Sequence, residues 1–144
     1  MALTLEDVQK ESLRYGPFAF VGSVSPSGTP YVSPVSVAWY DGRLLAFLAT
    51  NEAKVANIRK NPKVTVHYSV SEATNWDSCI LWGDAVIVDD EAGRTSLWDK
   101  MGYNLDAFEP GGPGASTHVF MVLEPRRALV LRQYGILGRE SWHA

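Results

Sequence analysis

Between residues 18 and 131 the chain is a succession of apolar, β-branched and aromatic runs, several of them joined by turns too short to hold a crossover helix. FAFVGSVS (18–25) reaches PYVSPVSVAWY (30–40) through Pro26-Ser27-Gly28-Thr29, and LLAFLAT (44–50) follows Asp41-Gly42. KVTVHYSV (63–70), CILWGDAVIVD (79–89) and THVFMVLEPRRALVL (117–131) complete a set of six. Asp-Gly is hairpin chemistry, and a tight turn can join only antiparallel strands. An open antiparallel sheet leaves two edges unpaired, and closure into a barrel removes them. Residues 30–40 alternate imperfectly, with Val32, Pro34 and Ser36 on one face and Ser33, Val35 and Val37 on the other. Glu124-Pro125 interrupts the last run, where a proline requires an edge or a bulge. The expectation is a mainly β, six-stranded antiparallel barrel with two to three short helices.

The helical segments are small. Thr4 can cap a first helix that stops at Gly16-Pro17, with Leu5, Val8 and Leu13 toward the core. Ala53, Val55, Ala56 and Ile58 predict a second over about 52–60, closed by Asn61-Pro62. Asp90 can cap a third that runs to about Tyr103, with Ala92, Leu97 and Trp98 inward. SEATNWD (71–77) is a polar loop around Trp76. NLDAFEPGGPGAS (104–116) is a glycine- and proline-rich surface loop of the kind that forms a mobile lid. The tail after Leu131 contains Trp142, an aromatic that needs cover.

Length and charge exclude several functions. At 144 residues the chain is expected to form one domain, 1–144. A net charge of −3 offers no general attraction to nucleic acid or to an anionic membrane. One cysteine, Cys79, excludes an internal disulfide and any multi-cysteine metal site. No apolar run approaches the roughly 20 residues needed to span a bilayer. The charged N-terminus reads as neither a signal peptide nor an anchor, so a cytoplasmic location is expected.

The chemistry concentrates in ATNEAKVANIRKNPKVTVHYSV (49–70). A strand ending at Thr50 and running into a helix places backbone amides, a hydroxyl and the Lys54 ammonium together, a set that suits a phosphate. Read alone, the turn is more simply a solvated helix lysine behind the capping residues Thr50 and Asn51. His67, His118 and His143 are scattered, with no metal-ligand spacing. His67 reads as a hydrogen-bonded barrel residue, Asp89-Asp90-Glu91 as a helix cap, and Cys79 as a small buried hydrophobe. No residue stands out as a proton donor; Tyr68, Tyr134 and His143 are the candidates, and a solvent proton serves equally.

The ordered set PYVSPVSV, then LLAFLATN, then KVANIRKNPKVTV resembles the pyridoxamine 5'-phosphate oxidase-like split-barrel family, which includes FMN proteins and flavin/deazaflavin oxidoreductases. The similarity is good over residues 8–70 and continues beyond as strand and helix order. It implies that Ser33, Pro34, Val35 and Ser36 form the strand against which a flavin-type ring lies. It also implies that Thr50 and Lys54 hold the cofactor phosphate, with Asn51 in the same turn. Trp76 is placed to stack on cofactor or substrate, from a neighbouring subunit, or to pack in an interface.

The chain departs from the pyridoxamine phosphate oxidases themselves. They have an arginine just before the phosphate lysine where this chain has Ala53, and cationic residues in the ring strand where it has serine, proline and valine. Their C-terminal arginine–histidine grip on substrate is reduced to Arg139, Trp142 and His143, which argues against that activity. The deazaflavin branch tolerates the alanine, so coenzyme F420 is preferred slightly over FMN. The expected function is a cytoplasmic oxidoreductase, homodimeric because five tryptophans exceed what one small barrel buries. It would pass hydride to a small organic substrate. The rivals are a flavin-binding protein without turnover and a haem-binding or structural barrel.

Overall fold

The computed structural model describes residues 2–144. Seven strands form the sheet: β1 (Phe18–Val24), β2 (Pro30–Tyr40), β3 (Arg43–Ala49), β4 (Lys63–Tyr68), β5 (Ser78–Val88), β6 (His118–Arg132) and β7 (Gly138–His143). They pair in the order β3-β2-β1-β4-β5-β6-β7, and an added pairing of β3 with β6 closes the first six into an antiparallel barrel. Three helices accompany them: α1 (Leu5–Ser12), α2 (Ala53–Lys60) and α3 (Glu91–Leu97). The expected six-stranded barrel is therefore the observed one. The tail adds β7, which pairs with the second half of β6 and half-buries Trp142 against the core.

Proline and glycine mark where the barrel is irregular. β2 pairs with β1 over Pro30–Ser36 but with β3 only over Val37–Tyr40, so its first half has an open edge. Proline has no N–H for a ladder and is tolerated on such an edge, which accommodates Pro30 and Pro34. β3 meanwhile pairs with β6 through Ala49↔His118. The sheet thus splits between β2 and the end of β3. At Pro125 the register with β5 shifts between Trp82 and Gly83, as the proline predicts. A Cβ on Gly83 would lie 2.1 Å from the Glu124 carbonyl oxygen, so only glycine fits opposite this bulge.

Alternation sets the core. Val35 and Val37 of β2, Val64, Val66 and Tyr68 of β4, and Cys79 and Leu81 of β5 are buried inside the barrel. Helix α1 starts with a capping box between Thr4 and Asp7 and seals one end with Val8. Leu13, expected to point inward, is 73% exposed, because a single 3-10 turn (Leu13–Tyr15) ends the helix and turns Tyr15 in instead. Asp90 caps α3 as expected, but α3 ends at Leu97, well short of Tyr103. Ala92 is exposed, while Leu97 and Trp98 pack on a second small core with Met101, Leu105 and Phe120. The buried residue of α3 is Arg94, whose guanidinium donates to the carbonyls of Pro113 and Asp89. Residues 104–116 do run over the surface, as expected, but Arg94 and the buried Leu105 tie them to the barrel. The chain has no helix long and apolar enough to cross a membrane among the described residues.

Candidate functional site: a groove at the split between β2 and β3

Where β2 and β3 part, a groove of about 950 Å³ opens. Pro34, Val35 and Ser36 form one wall, and Phe47, Leu48 and Ala49 the other. Met101, Tyr103 and Phe108 close it from the segment after α3, where the Tyr103 and Phe108 rings meet edge to face and the Tyr103 hydroxyl bonds Ser36 Oγ at 3.0 Å. Phe18 and Phe20 of β1 extend the apolar surface. Flat apolar walls of small and aromatic side chains accommodate a planar ring, and the open strand edge brings backbone close to it.

The first turn of α2 supplies the polar end. Lys54 is 8% exposed, because the lysine stem packs under the strands while its ammonium faces the groove. Its Nζ donates to Ser33 Oγ at 2.9 Å and lies 2.7 Å from Glu52 Oε2. Glu52 Oε2 is buried and, beyond that ion pair, has no well-aligned hydrogen bond. The ammonium has three protons, one of them donated to Ser33 Oγ, so beside its ion pair with Glu52 it can still donate to a groove ligand. Farther along α2, Asn57 is buried and donates to Ser23 Oγ at 3.2 Å, a structural tie between helix and barrel.

The predicted site residues divide into three sets. Pro34, Val35, Ser36 and Lys54 line the groove together, and Ser33 joins them through its bond to Lys54. Thr50 and Asn51 are exposed and do not line the groove, and the Thr50 hydroxyl is spent on the Ser116 carbonyl at 2.6 Å. Trp76 does not line the groove and sits in a loop where Asn75 and Trp76 have positive φ. Asp77 follows it, buried and bonded to Arg14, Arg132 and the Gln133 amide. Of the proton-donor candidates, Tyr68 is buried, which raises its hydroxyl well above the ordinary range. Tyr134 and His143 are exposed and do not line the groove. His67 bonds the Tyr68 carbonyl at 2.7 Å, as a barrel histidine should.

The structure adds a residue that the sequence reading set aside. His118 lines the groove, stacked on Phe47 with ring centroids 4.6 Å apart and planes 5° apart. Its Nδ1 is 3.0 Å from Thr117 Oγ1, which in turn bonds the Glu109 carboxylate. The Thr117 hydroxyl and the Gly111 amide hold the Glu109 carboxyl below the usual carboxylate range. Nothing in the spacing of Glu109, His118 and Phe47 connects them; the β3–β6 register and the fold of residues 104–116 do. No group of three or more His, Cys, Asp or Glu side chains among the described residues is arranged to hold a metal ion.

The comparisons agree with this architecture. A family model described as pyridoxamine 5'-phosphate oxidase matches residues 5–132. No curated protein matches the sequence significantly. Among solved structures, a Clostridium acetobutylicum protein related to general stress protein 26, of the pyridoxinephosphate oxidase family, superposes with a TM-score of 0.78 at 16% identity, covering 98% of this chain and 96% of its own. A pyridoxamine 5'-phosphate oxidase-related, FMN binding protein from Nostoc punctiforme gives 0.64 at 16% identity, over 92% of this chain and 83% of that one. An F420 reductase gives 0.61 at 25% identity, over 82% and 94%. With its split barrel and a family match over most of its length, the chain belongs to the pyridoxamine 5'-phosphate oxidase family.

Proposed function

We propose that the protein is an oxidoreductase whose flavin-type cofactor lies in the β2–β3 groove, with the deazaflavin coenzyme F420 preferred over FMN and a small organic molecule as hydride acceptor. The observation that carries this reading is the meeting of flat apolar walls with one buried ammonium where the barrel splits. Bound there, the cofactor supplies the two-electron hydride chemistry. The chain positions it. Pro34, Val35 and Ser36 flank the ring, and Lys54 faces the anionic end with Ser33 fixing its direction. The aromatic wall from Tyr103 and Phe108 excludes water from the reacting face.

The donor set supports the cofactor preference. No arginine lines the groove, and Glu52 offsets much of the Lys54 charge. An FMN phosphate monoester carries about −1.5 to −2 at neutral pH, which a compensated lysine serves poorly. The deazaflavin coenzyme has a longer polar tail and gathers contacts along the groove. The buried Glu52 oxygen suits a hydroxyl or N–H donor from such a ligand. Pyridoxamine phosphate oxidation is not proposed.

A homodimer belongs to this reading. Phe18 is 65% and Val32 71% exposed on the outer face of β1 and β2, and Phe20 adds to the patch. Such a face calls for a partner. Stacking by Trp76 on a cofactor would then come across the interface.

Parallel titrations with FMN, FAD and coenzyme F420 test the function. The expected result is F420 binding at least about tenfold tighter than FMN, or roughly 1.4 kcal/mol, and reduction of an enone or quinone by the reduced coenzyme. A protein that purifies yellow with stoichiometric FMN overturns the preference. Binding without turnover moves the chain to a carrier role, and a Soret band on haem addition with no flavin binding replaces the reading altogether.

A further inference from the structure

The groove contains four ionisable side chains, Glu52, Lys54, Tyr103 and His118. Glu52 and Lys54 are committed to each other, and the Tyr103 hydroxyl is tied to Ser36. His118 differs, because its partners fix which ring nitrogen has the proton. A hydroxyl has one proton and a carboxylate only accepts. Thr117 therefore donates to Glu109 Oε2, and its lone pair must accept from His118 Nδ1–H, 3.0 Å away. Glu109 is itself fixed, since its Oε1 accepts from the Gly111 amide at 2.8 Å and its side chain is 13% exposed. The chain of bonds runs in one direction only, from Nδ1–H to Thr117 to Glu109. No hydrogen bond among the described residues engages Nε2. The ring is also stacked flat on Phe47, which resists the rotation that would take Nδ1 away from Thr117.

We infer that His118 is the proton-transfer residue of the groove, acting through Nε2, with Thr117 and Glu109 as positioning residues. The inference rests on the oxidoreductase reading above. In the reductive direction a substrate double bond receives hydride at one atom from a reduced deazaflavin or dihydroflavin, which is the two-electron reductant. The other atom takes the proton from Nε2–H of the imidazolium. One C–H and one further bond to hydrogen form, Nε2–H breaks, and neutral His118 retains Nδ1–H against Thr117. Water then restores the Nε2 proton. The Thr117–Glu109 chain orients the ring and holds the tautomer that remains.

Two measurements test this. In the ligand-free protein at alkaline pH, ¹⁵N NMR of His118 should show a pyrrole-type Nδ1 and a pyridine-type Nε2. In Glu109→Gln the obligatory acceptor becomes a group that also donates, and the Nε2–H tautomer should gain population. An Nε2–H tautomer in the unaltered protein overturns the relay. In the second measurement, pre-reduced cofactor is mixed with an enone and followed through a single turnover. His118→Gln should slow the chemical step at least about a hundredfold, with the cofactor Kd within about twofold of wild type, and Glu109→Gln should lie between. A His118→Gln protein that binds cofactor and reacts at the wild-type rate overturns the proposal alone. Wild-type protein that binds none of the cofactors overturns the functional reading and the proton-transfer role together.

Discussion

Replacing Glu52 by glutamine isolates the electrostatics of the groove. The Glu52 carboxylate lies 2.7 Å from Lys54 Nζ, so it competes with any anion for the same cation. At the effective dielectric of about 20 that suits such sites, two unit charges at that distance attract by about 6 kcal/mol. Glu52 is 38% exposed, and water screens most of that sum. The part that reaches a ligand is the size of one charge-assisted hydrogen bond, about 1.5–3 kcal/mol. Glu52→Gln should therefore tighten FMN binding roughly ten- to hundredfold. Riboflavin, with the same ring and no phosphate, is the internal control and should be unaffected. Lys54→Met, which keeps the buried stem volume, should weaken FMN by a similar factor and also spare riboflavin. In the double variant the effect of Glu52→Gln should largely vanish, because the two residues act as a pair. Fluorescence titration gives the affinities, and circular dichroism at the same temperature verifies the fold. If Glu52→Gln shifts FMN and riboflavin equally, or leaves FMN unchanged, the anion end of the ligand does not lie at Lys54.

Four further outcomes follow from the fold. Gly83→Ala forces a Cβ to within 2.1 Å of the Glu124 carbonyl, and should lower stability in urea by about 3 kcal/mol, the upper range for over-packing. Glu11 and Asp77 are pushed up by burial, but Arg132, Arg14 and, for Asp77, the Gln133 amide outweigh it and hold both below the usual range. Because their folded values are depressed, the stability they contribute is complete above the unfolded values of about 4 and is lost as pH falls through the folded ones. Thermal melts should be flat near neutrality and fall steeply in acid, with Arg132→Gln costing about 3 kcal/mol at pH 7 and flattening the acid slope. Burial raises the Cys79 thiol to about 12, so a thiol-specific reagent should react with the native protein only through unfolding, and a fast native reaction would contradict the packing. Light scattering should give twice the 15.9 kDa protomer mass, and a monomer at micromolar concentration would remove the intersubunit role proposed for Trp76.

Local signals sufficed for the strands and for much of the groove. Asp41-Gly42, the alternation of residues 63–68 and the Asn61-Pro62 stop act within a few residues of themselves, so β2–β3, β4 and the end of α2 were legible in the sequence. The same holds for the bulge at Pro125, since a missing N–H has its effect wherever the strand lies. Other features depend on partners remote in sequence. Whether Lys54 is a solvated helix lysine or a buried cation depends on Ser33 of β2, which closes on its ammonium from another element. β7 has little strand character of its own; it forms because the second half of β6 presents a free edge to it. Leu13 faces water because α1 ends one turn early, a choice made by the packing of Tyr15 beneath it. His118 looked like one of three scattered histidines. Only the Ala49↔His118 register, and residues 104–116 folding back to bring Glu109 alongside, give its ring a fixed direction. Pattern and turn chemistry determine which segments become strands, because they are energies of neighbours along the chain. Which side chains share a groove is decided by barrel closure, which brings residues tens of positions apart into contact.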